Sequence, residues 1–333
     1  MRQPLINILF RLTLGLACGL SAFYSQAQSQ AQAQAYPLRP IRLVIPFPPG
    51  GSTDTYARIL GPKLSERLGQ AIIIDNRPGA GGAVGAEIAA KAGADGYTLV
   101  IGQTANMVIG PILRQNNLYD PERHFAPISL IMKSPQVMVV AAQSPIRTAK
   151  ELIAAAKSAP GTLTYGSAGI GSTGHISGEL LNQAAQVQFL HIPYKGGAAA
   201  VMDLMGGRIT YLSTSLASAG QYVAEKKLRA IVTTGLQRAR PMPDVPTLSE
   251  AALPGFELVS WHGFLAPARV PRSVVLRLNR ELVAALATPE VQKMLYAEGG
   301  EISPSTPEAF QQFLHQELSK WGQIIRSAGI RPE

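Results

Sequence analysis

Cysteine is almost missing from this chain: Cys18 is the single one in 333 residues. That excludes an internal disulfide and any metal site built on paired thiolates. Charge is sparse too, at 15% of residues, and the basic excess gathers in no run longer than "EKK" or "RAR". The formal net charge of +9 is therefore diffuse, whereas a nucleic-acid binder concentrates its cations on one face. No H-E-x-x-H occurs, and His124, His191 and His262 lack metal-ligand spacing. No repeat of fixed period is present, and beyond the N-terminal segment no apolar run approaches the ~18 residues of a membrane span. Disulfide scaffold, zinc enzyme, nucleic-acid binder and membrane-spanning chain all recede, and no cofactor or metal is expected.

What is present is a well-cored composition, 46% hydrophobic, on a chain long enough for two lobes of roughly 100–200 residues. Arg2 precedes the mostly apolar "PLINILFRLTLGLACGLSAFY", and "SQAQSQAQAQA" follows it. Charged start, apolar middle and small-residue end make a secretory signal, with cleavage expected after Ala27, or as late as Ala35. The mature chain would then be cysteine-free, soluble and periplasmic. A lipid anchor on Cys18 is the alternative, although "GLAC" puts Gly15 where such sites normally carry Leu.

Strand-like and helix-like segments then alternate: "IRLVIPF", "TDTYARILGPKLSERLG", "QAIIIDNRPG", "GGAVGAEIAAKAG", "YTLVIGQ". The rhythm recurs from "VMVVAA" to "LRAIVTTG" and predicts two α/β lobes with parallel pairing and flanking helices. Two closing helices are expected, from about Ser273 to Glu298 and from Thr306 to Ala328. They would complete the first lobe, making it discontinuous: residues 36–140 plus 255–333 as domain 1, and 141–254 as domain 2.

Two glycine-rich turns suggest the site. "PFPPGGSTD" (Pro46–Asp54) follows the first strand, and "GIGSTG" (Gly169–Gly174) opens a helix. The second is a literal G-x-G-x-x-G, yet no Asp or Glu stands about 20 residues on to hold a ribose. What remains is two helix N-termini, one per lobe, with free N–H groups and the positive end of the dipole, which suit an anion. The expected grip is Gly51, Ser52, Thr53 and Asp54 from one lobe with Ser167, Ser172 and Thr173 from the other. Further polar candidates end other strands: Gln103 and Thr104, then Tyr194, Lys195 and Gly196, then Thr214 between Ser213 and Ser215. Trp261 and His262 lie in another strand, Trp261 read chiefly as lobe packing and His262 as a core or surface histidine. Ser172 with His175 has the residue types of a hydrolase pair, but neither Ser167 nor Ser172 sits in a G-x-S-x-G elbow. A periplasmic serine hydrolase is kept as the alternative.

The stretches "YPLRPIRLVIPFPPGGSTDTYAR", "DNRPGAGGAVGA", "DGYTLVIG", "YDPERHFAPIS", "LTYGSAGIGSTGH", "HIPYKGG" and "DVPTLSEA" resemble, in order, the Bug family. These are periplasmic solute receptors of tripartite tricarboxylate transporters. The resemblance implies a monomeric Venus-flytrap receptor, similar to type II periplasmic binding proteins, with each lobe a mixed sheet flanked by helices. It implies a small carboxylic acid held by the loops matching Phe47–Asp54 and Ser167–His175, Gly169 included. It also implies a membrane permease as partner, or in some relatives a signalling partner such as a sensor kinase. The chain departs from the family pattern at "QTANMVIGP" and "STSLASAG", which would face the variable end of the ligand. Its hydroxyl-rich "STS" favours a carboxylate or neutral group there over an amine.

Overall fold

The computed structural model describes residues 36–114 and 117–327; the expected signal segment, Cys18 and both cleavage points lie outside them. The described residues hold eleven strands: β1 (Ile41–Ile45), β2 (Ile72–Asn76), β3 (Thr98–Gln103), β4 (Phe125–Pro135), β5 (Val137–Ala141), β6 (Thr164–Ser167), β7 (Leu190–Pro193), β8 (Tyr211–Thr214), β9 (Leu228–Thr233), β10 (Val259–Pro267) and β11 (Glu301–Ile302). They form a six-stranded sheet, β11-β4-β10-β3-β1-β2, and a five-stranded sheet, β7-β6-β8-β5-β9. Both are mixed. β1 runs parallel to β2 and β3, while β10 and β11 run antiparallel to their neighbours. In the second sheet β6 is parallel to β7 and β8, and β5 is antiparallel to β8 and β9.

The principal helices are α1 (Ser52–Leu68), α2 (Ala83–Ala90), α3 (Ala149–Ser158), α4 (Thr173–Ala185), α5 (Gly197–Met205), α6 (Leu216–Ala224), α7 (Arg272–Leu286), α8 (Pro289–Ala297) and α9 (Pro307–Ser327). Their apolar spacing fixes their docking. Tyr56, Leu60, Leu64 and Leu68 recur every four residues, so α1 turns one stripe onto the first sheet beside Leu278 and Leu282 of α7. The opposite face of that sheet is covered by Ala86 of α2 and by Phe310, Leu314 and Trp321 of α9. The second sheet is sandwiched likewise, by α3 and α4 on one face and α5 and α6 on the other. Each fully buried Leu or Ile contributes about 1.5–3 kcal/mol, and β1 alone buries Ile41, Leu43 and Ile45 completely.

Two elements differ from the sequence expectation. The longest strand, β4, was not anticipated, because its prolines give no strand signal. Pro127 is tolerated because β11 pairs only with Met132 and Lys133, leaving β4 an edge strand at Pro127, next to a register shift against β10. The expected helix from about Ser273 to Glu298 is two helices, α7 and α8. Pro289 has no N–H to continue the first, and Thr288 satisfies the carbonyl of Ala285 through both its N–H and its hydroxyl.

The chain changes sheets at Gln136, rather than near Val140, because β5 pairs in the second sheet, and it returns across residues 234–258. Buried Thr234 ties these crossings. Its Oγ1 accepts from the Gln136 N–H at 2.8 Å and donates to the Leu258 carbonyl at 2.6 Å, while its own N–H donates to the Gln136 carbonyl at 3.0 Å. These bonds tie the two sheets where the chain crosses, and Ile176 and Leu180 of α4 pack against the first lobe beside them.

Candidate ligand cleft

A cavity of about 90 Å³ lies between the sheets, outside the carboxyl ends of their parallel strands, where open α/β sheets place ligands. The lobes approach closely on this side: a Cβ on Gly196 would stand 3.3 Å from the Pro48 ring, and one on Gly81 would stand 3.1 Å from the Ile170 carbonyl.

Four helices begin on this cavity. α1 is preceded by Gly51, α4 by Ser172, α5 by Gly196 and α6 by Ser215, and all four residues line it. Only at α4 does a side chain cap the helix, the Ser172 hydroxyl accepting from the His175 N–H at 3.2 Å. The starts of α1, α5 and α6 have no side-chain cap. Their first N–H groups are left to water or a ligand, and each start adds the positive end of a helix dipole. Lys195 is the one formal charge among the lining residues, and no Asp or Glu is among them. The cavity therefore carries a positive potential made chiefly by backbone.

Of the expected site residues, Phe47, Gly51, Ser52, Thr53, Gln103, Ser172, Thr173, Lys195, Gly196 and Thr214 line the cavity. The others expected there do not, and each has a visible structural occupation. Asp54 is buried under its own loop, where its carboxylate accepts from Gly50 N–H (3.1 Å), Arg58 Nε (2.9 Å) and Asn76 Nδ2 (3.0 Å). Burial alone would raise its pKa, but these donors outweigh that and hold the carboxyl below its ordinary range. Thr104 accepts from the Trp261 N–H at 3.0 Å, bracing β10. Ser167 is fully buried, its Oγ 2.7 Å from His191 Nε2. Gly169, at φ +125°, turns the loop beside the Tyr194 carbonyl. His175 accepts from Gly171 N–H at 3.2 Å and stacks on His191 with ring centroids 4.1 Å apart. Tyr194 points its hydroxyl to Asp203 at 2.9 Å.

The structure also brings in residues that local pattern could not place. Ser134 arrives from the end of β4, Gln136 from the crossing after it, Ser218 from the first turn of α6, and Ser260 from β10, beside the sequence candidate His262. Ser260 pairs directly with Ser134 across β10 and β4. His262 is buried in a T-shaped contact with Tyr56, ring centroids 4.7 Å apart, and its Nε2 lies 3.0 Å from Ser52 Oγ. Burial pushes its pKa down to about 3, so the imidazole is neutral. Between Ser260 and His262, Trp261 faces the other way, donating its indole N–H to Glu317 at 3.1 Å. Its packing role was the sequence expectation. The strand after "YTLVIG" runs into a π-helical turn, Ala105–Ile109, a rare form frequent at functional sites.

Two mixed α/β sheets, two hydrogen-bonded crossings and a cavity fringed by helix starts define a two-lobed solute-binding protein. Residues 56–330 match the family model described as "Tripartite tricarboxylate transporter family receptor". The chain belongs to that family. It is similar to the UPF0065 protein of the tcbD-tcbE intergenic region from Pseudomonas sp. strain P51, 41% identical over 292 residues and 87% of each chain. Protein BugT of Bordetella pertussis is 32% identical over 297 residues, 89% of this chain and 91% of that one. Among solved structures, Rhodopseudomonas palustris Rpa4515 with adipate superposes with a TM-score of 0.87 at 34% identity, covering 90% of this chain and all of that one. The periplasmic binding protein BugD gives 0.85 at 34%, with the same coverage. MatC from R. palustris with bound malate gives 0.82 at 32%, over 87% of this chain and all of that one.

Proposed function

We propose that this chain is a periplasmic receptor that captures a small carboxylate-bearing solute between its lobes by hinge closure and presents it to a membrane permease of the tripartite tricarboxylate type. The observation that carries this reading is the convergence of four helix starts, three without side-chain caps, on a cavity with no acidic lining. Each well-placed helix start favours an anion by about 0.3–1 kcal/mol, and a carboxylate would satisfy the N–H groups left open. Adipate and malate in the related structures agree in ligand class. The moving bodies are residues 36–135 with 259–327, and residues 137–253, whose Leu248 packs in the core of the second lobe, hinged at Gln136 and at the segment that returns to Leu258. Closure follows if the solute binds both lobes at once and hence prefers the closed state.

The chain performs no catalysis in this reading. The hydrolase alternative needs a nucleophile facing the cavity with a competent base behind it. Ser167 has His191 at 2.7 Å but is fully buried, and the ring nitrogen of His175 nearest Ser172's loop is occupied by Gly171. Ser52 with His262 does face the cavity. An imidazole held near pKa 3 is a weak general base at neutral pH, however. Titration calorimetry of the mature protein against carboxylic acids, with NMR of the recovered solute, tests the reading. One-to-one binding with the acid returned unchanged is expected; turnover of an acid or its ester overturns it.

A further inference from the structure

We propose that Ser260 and His262 form a second subsite at the floor of the cavity, donating hydrogen bonds to the far end of a short two-ended acid and disfavouring a ligand that carries an ammonium group. This rests on the carboxylate reading above and adds to it what the other end of the solute must be.

Ser260 Oγ and His262 Nδ1 are buried polar atoms with no hydrogen-bond partner among the described residues. Native folds rarely leave such groups unmatched unless water or a ligand meets them. Both side chains belong to the cavity lining, and strand alternation puts them on one face of β10 with Trp261 on the other. Ser134, directly opposite Ser260 on β4, lies on the same face and also lines the cavity.

The Ser52–His262 pair adds a count of protons. A neutral imidazole and a hydroxyl hold two donor protons between them. One is used in their mutual contact at 3.0 Å. The other is free in either tautomer, on Nδ1 or on Ser52 Oγ. The floor thus always has a donor for a ligand oxygen, and the serine hydroxyl of residue 260 supplies another.

An ammonium group finds no carboxylate to pair with here. No carboxylate lines the cavity, and the potential from the helix starts and Lys195 is positive. Asp54, the acid nearest in sequence, is bound to Arg58 beneath the loop. The cavity is small, about 90 Å³, which favours a short acid.

The test is titration of the refolded mature protein with succinate, butyrate and aspartate, repeated on His262→Phe and Ser260→Ala. Succinate is expected to bind about tenfold or more tightly than butyrate or aspartate, the effect of one or two hydrogen bonds to a charged group. Each variant should lose about tenfold more affinity for succinate than for butyrate. Equal losses for both acids would make Ser260 and His262 merely structural and overturn the proposal. Aspartate binding as well as succinate would overturn it too, without any variant having to fold. Binding of acids with either of those patterns leaves the carboxylate reading standing. Failure of every acid removes that reading, and this inference with it.

Discussion

Replacing Asp54 separates a residue that holds the binding loop from one that holds the ligand. Its carboxylate, 3% exposed, joins Gly50 at the loop, Asn76 at the end of β2 and Arg58 one turn along α1. Asn76 in turn donates to the Phe47 carbonyl at 3.1 Å, so one carboxyl group fixes both ends of "PFPPGG". In Asp54→Ala the Arg58 contribution is small because that side chain is 56% exposed. The Gly50 N–H and the Asn76 amide lose a partner in a half-buried place, costing about 1–2 kcal/mol each. The expected loss is about 3 kcal/mol. With an unfolding entropy near 2.1 cal/mol/K per residue over roughly 290 residues, melting should fall by about 5 °C. Differential scanning calorimetry reads this directly, and calorimetric titration reads affinity on the same samples. Asp54→Asn, which keeps one acceptor, should lie between wild type and Asp54→Ala in stability and should not bind acids more tightly. If Asp54 faced the solute, Asn would remove a like charge and tighten binding. That result, or an unchanged melt for Asp54→Ala, refutes the bracing role.

Other consequences follow from the same contacts. Gly174→Ala puts a Cβ 2.3 Å from the Ser213 carbonyl, a backbone overlap that should cost about 1–3 kcal/mol in a denaturant titration; an unchanged midpoint would mean α4 does not press on β8. His262 is held neutral to about pH 3 by burial, whereas an unfolded histidine protonates near 6.5. Its folded pKa is depressed, so the unfolded chain binds the proton first and stability falls as pH drops below about 6.5. By pH 5 the loss is about 2 kcal/mol, and a His262→Phe protein should lack that increment when the two melting profiles are compared. Glu317 is the opposite case. Burial raises its pKa against the pull of the Trp321 and Trp261 indoles, so its charge is a cost above the folded pKa. Glu317→Gln keeps an acceptor for both indoles and should match or exceed wild-type stability at pH 7, with the advantage fading in acid; a large loss at pH 7 would show that the negative charge itself is needed.

The sequence made the strand–turn–helix sites visible because they are local. "PFPPGGSTD" and "GIGSTG" both open helices on the cavity, since glycine, proline and the small hydroxyl residues encode such turns within a few positions. What local reading could not settle was which residue of Gly-Ser-Thr-Asp precedes the helix. With Gly51 in that position, Asp54 falls in the first turn and folds back under the loop. Ser167, His175 and Tyr194 were expected at the cavity for lying beside the right turns, but stacking of His175 on His191 and bonding of Tyr194 to Asp203 turn them into the second lobe. Ser134, Ser260 and His262 were harder still. They come together through the pairing of β4 with β10, more than 120 residues apart in the chain, and Ser52 reaches His262 over 210 positions. Pattern at a strand period says that such residues share a face, and only the long-range register says that the face is the floor of a cleft.

The central claim is capture of a carboxylate by helix starts from both lobes, and melting of the refolded mature protein against short carboxylic acids and their matched amides tests it most directly. A solute that binds only the folded protein adds about 2.7 kcal/mol at a hundredfold excess over its dissociation constant. The account predicts that an acid raises the melting temperature, that its amide does not, and that Ser172→Ala, which removes a lining hydroxyl whose own proton the α4 cap leaves uncommitted, reduces the shift. Equal shifts from acid and amide, or none from any acid, would contradict it.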